Sequence, residues 1–398
     1  MPRPDLLQRL ARAHAERAQH DLLRRLRTVR EADGAWIAVD GRRLLSFASN
    51  DYLGLAQHPR LTAALVAAAQ RWGVGATAAH LLGGHRDEHA ALEHDLAQWL
   101  GRERALLFST GYMANLGVLG ALLADGDICV QDKLNHACLI DGARLSGAEL
   151  KRYPHNDVAG ARRQLDSAPG AGALVATDGV FSMDGDVAPL PALAALCREH
   201  GALLHVDDAH GLGVLGTDGA GSVAAAGLDA HDVPIYMATL GKALGVAGAF
   251  VAGSAALIDG LVQFARTHVY TTALPPALAA ATRAAIEIAR FEHWRRDRLA
   301  LLIAHFRHGA ERRGLVLLPS QTPIQPVLVG ASGDALRMSR DLEARGFYVP
   351  AIRPPTVPNG KARLRVTLSA LHTETDVERL LDALALGSQP SKETTGAH

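Results

Sequence analysis

Hydrophobic and polar positions alternate regularly along the middle of the chain. Between residues 60 and 253, short apolar runs of strand length are separated by longer segments whose apolar residues have helical spacing. The predicted strands cover residues 105–109, 127–132, 172–180, 202–208, 235–240 and 247–253. The predicted helices cover residues 59–72, 86–100, 112–124, 135–147 and 189–200. Because near-continuous apolar strands between helices are typical of a mainly parallel sheet covered on both faces, the pattern predicts an α/β fold class.

The two ends of the chain have different patterns. Residues 5–30 have the spacing of one amphipathic helix, and two short strands at 35–41 and 42–49 follow, joined by an Asp40-Gly41 turn. Residues 277–313 predict one long helix, broken at most once, and the remainder alternates short strands with helices. The predicted division is an N-terminal helix with short strands, a large domain, a small C-terminal α+β domain and a disordered polar tail, covering residues 1–50, 51–280, 281–387 and 388–398.

Composition narrows the possible classes of function. The 398 residues are 48% hydrophobic and 21% charged, which is a globular rather than a disordered balance. Lys and Arg total 41, as do Asp and Glu, so a formal net charge of zero gives no general attraction to nucleic acid or anionic membranes. The three cysteines supply neither a disulfide framework nor a paired metal knuckle. No apolar run has the length of a secretory signal or a membrane span, so we expect a cytoplasmic protein.

Chemically active residues follow two predicted strands of the sheet. The strand at 202–208 ends in Asp207 and Asp208 with His210 close behind, and Lys242 follows the strand at 235–240. Ligands of open parallel sheets bind beyond the carboxyl ends of the strands. An aspartate there and a lysine after the next strand are the arrangement that pyridoxal phosphate needs: the amine forms a Schiff base, and the carboxylate keeps the pyridine nitrogen protonated. Helix capping and a solvated turn lysine are the alternative interpretations of this pair.

A series of motifs, in order along the chain, resembles the α-oxoamine synthases, a branch of the fold-type I pyridoxal-phosphate enzymes. The resemblance covers roughly residues 20–385. It is carried by SNDYLGL (49–55), GGHRDEHAALE (83–93), FSTGYMAN (108–115), DKLNHACLIDGARLS (132–146), GVFSMDGDVAPL (179–190), HVDDAHGLGVLG (205–216), ATLGKALG (238–245), YTTALPP (270–276) and IRPPTVP (352–358). It implies a large, mainly parallel seven-stranded sheet domain flanked by helices, together with a smaller C-terminal α+β domain.

The resemblance also implies roles for individual residues around pyridoxal 5'-phosphate. Lys242 would carry the cofactor, Asp207 would pair with its pyridine nitrogen, His210 would hydrogen-bond its phenolic oxygen, and His136 would stack on the ring; these four form the implied catalytic set. Further cofactor contacts would come from Gly111, Tyr112, Ser182, Thr239 and, from the other subunit, Thr272. The implied assembly is therefore a homodimer with its active site at the subunit interface.

For substrates, the resemblance implies an amino acid and an acyl thioester. Arg353 would bind the amino acid carboxylate, Arg24 and Thr356 would contact the acyl substrate, and Asn50 and His136 would line the same pocket. A solvated basic helix face is the alternative for Arg24. The motifs are most similar to those of members that condense L-alanine with a pimeloyl thioester, carried by CoA or an acyl carrier protein, in biotin biosynthesis. Sister enzymes use glycine with acetyl-CoA or succinyl-CoA, or serine with palmitoyl-CoA.

Two other motifs point to different chemistry. Residues 85–89 match H-x-x-E-H, a zinc-protease signature, but Gly83-Gly84 places His85 at or before the helix start, so we expect no metal site. Residues 211–216 match G-x-G-x-x-G, but they do not directly follow a strand or open a helix, which argues against a dinucleotide site. An aminotransferase with the same cofactor remains an alternative. A catalytically silent scaffold is disfavoured by the many polar residues at strand ends.

Overall fold

The computed structural model describes residues 3–20 and 22–387. The tail predicted for residues 388–398 lies outside them. The helices are α1 Leu6–Gln19, α2 Pro59–Trp72, α3 Asp87–Trp99, α4 Gly111–Leu122, α5 Ala137–Ser146, α6 Val158–Asp166, α7 Leu190–His200, α8 Ser222–Ala225, α9 Ala255–Phe264, α10 Arg266–Val269, α11 Pro276–Phe291, α12 Trp294–Arg312, α13 Ser332–Ala344 and α14 Glu374–Gly387. The strands are β1 Val29–Asp33, β2 Trp36–Val39, β3 Arg42–Ser46, β4 Arg104–Phe108, β5 Ile128–Asp132, β6 Glu149–Tyr153, β7 Ala173–Asp178, β8 Leu203–Asp207, β9 Ile235–Thr239, β10 Ala249–Gly253, β11 Ile324–Gly330, β12 Phe347–Tyr348, β13 Ala351–Ile352 and β14 Ala362–Thr367.

Seven strands form the central sheet in the order β4-β10-β9-β8-β7-β5-β6. Strand β10 is antiparallel to both of its neighbours, whereas β6, β5, β7, β8 and β9 pair in parallel. The predicted α/β class with a mainly parallel seven-stranded sheet is confirmed. The apolar pattern did not reveal β6, because its sequence ELKRY lies at the sheet edge and only Tyr153 is buried.

Both faces of the sheet are covered, as near-continuous apolar strands require. Along β7, Leu174 and Ala176 pack into one apolar layer with residues of α4 and α5, and Val175 packs into the other. That second layer includes Leu193 of α7, and α11 packs against α2 and α3 on the same side. The sheet is therefore held rigidly, and its strand ends have fixed positions.

The N-terminal segment departs from the predicted helix at 5–30. Helix α1 ends at Gln19, and residues 29–33 form β1, which pairs antiparallel with β2. The predicted helix was wrong after Gln19. Helix α1 buries none of its side chains, so packing does not stabilise a longer helix in this segment. The predicted hairpin is confirmed: β2 and β3 pair antiparallel around Asp40 and Gly41, which have φ of 49° and 76°.

The C-terminal segment joins the N-terminal strands. The long predicted helix is broken between α11 and α12, at Glu292 and His293, and the short strands β12 and β13 lie on either side of Pro350. Strand β12 pairs in parallel with β3, which gives a four-stranded sheet ordered β1-β2-β3-β12. The predicted division into domains stays a prediction. Within the described ranges, no helix is long and apolar enough to cross a membrane.

Candidate active site

A cavity of about 220 Å³ opens beyond the carboxyl ends of β7, β8 and β9. A ligand site at this edge is expected for an open, mainly parallel sheet. The structure brings eight of the predicted cofactor residues to this cavity: Gly111, Tyr112, His136, Ser182, Asp207, His210, Thr239 and Lys242. They come from five separate segments of the chain, so the fold brings the set together.

Lys242 lies in the short connection between β9 and β10. The backbone of this connection is held by bonds from the Leu240 amide to the Gly248 carbonyl (2.9 Å) and from the Gly245 amide to the Lys242 carbonyl (2.9 Å). Gly245 has φ of +68°, and a Cβ there would come within 2.5 Å of the Ala56 amide, so the turn needs glycine at this position. The lysine backbone is thereby fixed, and burial lowers the pKa of the Lys242 amine.

The Lys242 amine begins a chain of buried hydrogen bonds. Its Nζ lies 2.9 Å from His210 Nε2, and His210 Nδ1 lies 2.6 Å from the Tyr52 hydroxyl, which is 3.3 Å from Asn50 Oδ1. Burial lowers the pKa of His210 and raises that of Tyr52 to about 12. A neutral imidazole donates through one nitrogen and accepts through the other, so the tautomer of His210 couples Lys242 to Tyr52.

Asp207 ends β8 with its carboxylate fixed in orientation. Oδ2 accepts a hydrogen bond from Asn115 Nδ2 at 2.7 Å, and Oδ1 accepts one from the Ala209 amide at 3.0 Å. Asn115 lies on α4 and is fully buried, and its Nδ2 is also 2.9 Å from Cys138 Sγ. Sequence reasoning missed Asn115 and Cys138, because a helix interior carries no strand-end signal.

Asp178 is a second carboxylate in the cavity, and sequence reasoning missed it too. It ends β7, and its Oδ2 accepts a hydrogen bond from the His136 amide at 3.1 Å. Its Oδ1 is buried without a partner among the described residues. Burial raises the pKa of Asp178, and the nearby Asp207 carboxylate raises it further. The signal that identified Asp207, an aspartate at the end of an apolar strand, was present here as well.

The N-terminus of α4 faces the same cavity. Thr110 caps this helix, its Oγ1 accepting from the Met113 amide at 3.1 Å, and Gly111 and Tyr112 of the first turn line the cavity. Thr239 lies on the cavity wall, and its hydroxyl donates to the Gly248 carbonyl at 3.0 Å. First-turn amides and the helix dipole favour an anion at this position.

The other predicted residues lie elsewhere in the single chain. Among the described residues, those that line the cavity do not include Arg24, Asn50, Thr272, Arg353 or Thr356. Arg24, Thr272 and Thr356 are exposed, whereas Asn50 and Arg353 are half-buried. Asn50 is linked to the cavity through the bonds of Tyr52, and Thr272 forms an isolated bridge with Ala79.

Arg365 is a buried cation that sequence reasoning did not single out. Its Nε donates to the Ser182 carbonyl at 2.7 Å, and its terminal nitrogens donate to Thr367 Oγ1 at 2.7 Å and to Asn50 Oδ1 at 3.3 and 3.4 Å. It lies on β14 and is 6% exposed. An arginine within an apolar strand gives no local signal, because only the tertiary fold brings β14 to Ser182.

Comparison with known proteins places the chain in a family. Residues 42–384 match the model of the aminotransferase class I and II family. An 8-amino-7-oxononanoate synthase of Pseudomonas putida is 58% identical over 376 residues, which cover 94% of this chain and 96% of the relative. A synthase of the same name from Xanthomonas campestris pv. campestris is 56% identical over 96% of both chains.

Solved structures agree with this placement. A serine palmitoyltransferase from S. paucimobilis with a bound PLP–myriocin aldimine superimposes with a TM-score of 0.92 at 28% identity, over 96% of this chain and 98% of that one. An 8-amino-7-oxononanoate synthase from Francisella tularensis gives a TM-score of 0.76 at 31% identity, over 86% and 97%. The chain therefore belongs to the aminotransferase class I and II family and, within it, to the α-oxoamine synthases.

Proposed function

We propose that this chain is a pyridoxal-phosphate-dependent acyltransferase that condenses L-alanine with a pimeloyl thioester in biotin biosynthesis. The products would be 8-amino-7-oxononanoate, carbon dioxide and the free thiol of CoA or of an acyl carrier protein. The observation that carries the proposal is the 58% identity to an 8-amino-7-oxononanoate synthase over nearly the whole of both chains. The residues of the cavity supply the chemistry that this reaction needs.

The cavity residues fit pyridoxal phosphate by the chemistry of their donors and acceptors. The N-terminus of α4 suits the phosphate, to which the Thr239 hydroxyl would donate in exchange for its bond to the Gly248 carbonyl. Asp207 suits a protonated pyridine nitrogen, and Lys242 suits the aldehyde. His136, in the lining of the cavity, would lie against the ring. When bound, the cofactor supplies a conjugated ring that accepts the electron pair released at the substrate Cα.

Lys242 is the proposed base. Its lowered pKa increases the neutral fraction of the amine, and a neutral amine can take the Cα proton of alanine and later return one. His210 holds the amine from 2.9 Å, which limits the directions in which it can move. In the net reaction a bond forms between Cα and the thioester carbonyl, the thiol leaves, the alanine carboxylate leaves as carbon dioxide, and Cα regains a proton.

Two arginines are candidates for the substrate carboxylates. Arg353 is the residue implied by the family motif, and Arg365 is the buried one whose guanidinium touches Asn50 and the Ser182 carbonyl. A guanidinium binds a carboxylate with paired donors. Arg365 would exchange its long bonds to Asn50, at 3.3 and 3.4 Å, for such a pair. We propose Arg365 as a second carboxylate-binding residue beside Arg353. The roles of Arg24 and Thr356 toward the acyl chain stay predictions, as does the cytoplasmic location.

The proposed active unit is a homodimer. Thr272 is exposed and lies outside the lining of its own chain's cavity, so a phosphate contact from this residue has to reach a second copy. Most oligomers of identical chains are symmetric dimers, in which each copy would complete the site of the other.

Thiol release tests the proposed reaction. The purified, cofactor-loaded protein is given L-alanine with pimeloyl-CoA, and parallel reactions contain glycine with acetyl-CoA, glycine with succinyl-CoA, or serine with palmitoyl-CoA. We expect thiol from the first pair alone, and none from Lys242→Ala with any pair. Thiol release with a glycine or serine pair instead would keep the mechanism and overturn the substrate. Release from none of the pairs by a protein with bound cofactor would favour an aminotransferase.

A further inference from the structure

Four imidazoles gather at the start of α3, among residues that do not line the cavity. His80 Nδ1 and His85 Nδ1 face each other at 2.9 Å, and the rings of His89 and His268 lie 5.2 and 4.7 Å from that of His80, centroid to centroid. One nitrogen each of His80, His85 and His89 lies within 4.8 Å of those of the other two. The H-x-x-E-H motif supplied two of these residues, and the fold adds His80 and His268.

The outer nitrogens of two of these rings already have acceptors beside them. His89 Nε2 donates to the Leu274 carbonyl at 2.6 Å, and His85 Nε2 lies 3.7 Å from Glu93 Oε2. Metal-binding histidines characteristically donate their second ring nitrogen to a carbonyl or carboxylate, which fixes the ring and leaves the other nitrogen for the ion. For His89 the nitrogen left is Nδ1, which now accepts from the Arg86 amide at 2.9 Å and would exchange this bond for the ion.

The surroundings hold this arrangement in place. His268 stacks on His80 at 21° between ring planes, and its Nδ1 donates to the Leu107 carbonyl at 3.2 Å. The same strand anchors Glu93, whose Oε1 accepts from the Leu107 amide at 3.0 Å. The cationic group of Arg86 lies over the Trp72 ring, 5.7 Å from its centroid.

We propose that His80, His85 and His89 bind one divalent transition-metal ion of the zinc class, with water at the fourth position. Neutral imidazoles select such ions over Mg²⁺ and Ca²⁺, which prefer oxygen ligands. In a tetrahedral zinc site two nitrogens at about 2.0 Å from the ion lie about 3.3 Å apart. The two facing Nδ1 atoms, at 2.9 Å, therefore need to separate by only a few tenths of an ångström.

This site differs from that of a zinc hydrolase. Glu88, the acidic residue of the H-x-x-E-H motif, lies 3.6 Å from the Arg283 guanidinium in an ion pair. A general base would instead have to reach a metal-bound water. The proposed ion is therefore structural. It would join the start of α3 to the segment that carries Thr272, since His89 holds Leu274 and the Ala273 amide donates to the Ala78 carbonyl at 3.0 Å.

Zinc retention by the cofactor-loaded protein tests the site. The protein is treated with a chelator, desalted, given limiting ZnCl₂ and dialysed, and its zinc content and melting temperature are measured. The test variant is His85→Asn. The His85 side chain is 35% exposed, so we expect the fold to tolerate this substitution. The matched control is His94→Asn, an exposed histidine on the same helix. The visible spectrum of the bound cofactor reports whether each variant is folded.

In the wild type and in His94→Asn, we expect one zinc ion per chain and a melting temperature above that of the zinc-free protein. In His85→Asn, we expect neither. A second test variant, His80→Asn, should behave like His85→Asn. The proposal is overturned if the wild type retains no zinc after dialysis. It is equally overturned if His85→Asn and His80→Asn, with normal cofactor spectra, retain as much zinc as the control. Neither result depends on the acyl donor, so the site and the proposed reaction are tested separately.

Discussion

At the scale of single residues, the cavity depends on buried groups that hold one another in place. Tyr52 contributes a hydroxyl 2.6 Å from His210 Nδ1, in a position without access to solvent. We expect Tyr52→Phe to leave that nitrogen unsatisfied and to lower the free energy of unfolding by about 1–3 kcal/mol. Thiol release should slow as well, because His210 would no longer be held against Lys242. Urea denaturation and the thiol assay measure the two effects.

Tyr348→Phe is the control for this substitution, because Tyr348 is half-buried and lies outside the lining of the cavity. The unfolding curve of this control and its rate of thiol release should match those of the wild type. If Tyr52→Phe were as stable and as active as this control, the chain from Lys242 through His210 to Tyr52 would have no energetic importance.

The buried carboxyl group of Asp208 leads to a prediction about how stability depends on pH. Burial raises the pKa of Asp208 to about 7, although its Oδ2 accepts from the Ser222 amide at 2.7 Å and from the Tyr236 hydroxyl at 2.8 Å. A carboxyl with a raised pKa holds its proton more tightly in the folded state. The resulting stabilisation is therefore full below the ordinary value of 3.8 and is lost as the pH rises through about 7.

Asp208→Asn cannot ionise and keeps an oxygen to accept these bonds. Relative to this variant, the wild type should lose stability between about pH 4 and pH 7, by at most about 1.4 kcal/mol per pH unit. Urea denaturation at several pH values measures the difference. The exposed Asp341→Asn should show no such trend. A difference between wild type and Asp208→Asn that stayed constant with pH would contradict the prediction.

Strand ends explain which site residues could be predicted. Asp207, Thr239 and Lys242 follow apolar strands, where local sequence places a side chain at the ligand edge. Asp178 has the same signal and was missed. Asn115 and Arg365 could not be found in this way, since each lies within an element and reaches the site only because distant segments pack together.

At the scale of elements, a histidine joins the ends of two strands and a loop. His155 follows β6, and its Nδ1 lies 3.1 Å from Asp132 at the end of β5, while its Nε2 lies 2.8 Å from Asp186. Burial alone lowers the pKa of His155, but hydrogen bonds with the two carboxylates outweigh it and raise the pKa to about 10. This stabilisation is full below the ordinary value of 6.5 and is lost as the pH rises through about 10.

We expect His155→Gln to lower the free energy of unfolding by about 2 kcal/mol at pH 7, because two carboxylates lose a charged partner. The cost should shrink at about pH 10.5, where the wild-type imidazole has also lost its charge. Chemical denaturation at the two pH values measures this loss of stability, and His94→Gln, at an exposed histidine, is the control. If the loss of unfolding free energy were equal at both pH values, the charge of His155 would not contribute to stability.

Elements were predicted well where burial determines the pattern and poorly where it does not. Strands β7, β8 and β9 are apolar along their length and were found, whereas the polar edge strand β6 was not. The predicted helix at 5–30 failed because α1 buries none of its side chains and pairing with β2 determines the structure after it. Which strands share a sheet, as β3 and β12 do, depends on contacts between distant segments that periodicity does not encode.

At the scale of the whole molecule, the proposed homodimer can be tested by mixing two variants, each of which lacks one proposed site residue. Lys242→Ala lacks the proposed base of its own site, and Thr272→Val lacks the proposed contact to the partner's site. In a mixed dimer, one site receives both wild-type residues and the other receives neither. Random exchange of subunits should therefore restore about a quarter of wild-type activity, since half of the dimers are mixed and each has one intact site.

The thiol assay on the unfolded and refolded mixture, compared with each variant refolded alone, measures this recovery. Activity no greater than the average of the two separate variants would show that Thr272 does not complete the partner's site. Size-exclusion chromatography of the same samples reports whether the dimer is present.

The position of β10 has a consequence for the order in which the chain can become functional during synthesis. In the described part of the chain, β10 is the only strand that pairs with β4, with Phe108 opposite Ala249, although β4 leaves the ribosome long before β10 does. Until then β4 has no partner strand, and the helix that follows it, α4, has no completed sheet to pack on. A nascent chain that ends between Lys242 and Ala249 therefore already contains Lys242 but lacks the strand that fixes its turn, so binding of the proposed cofactor has to wait until β10 has been made.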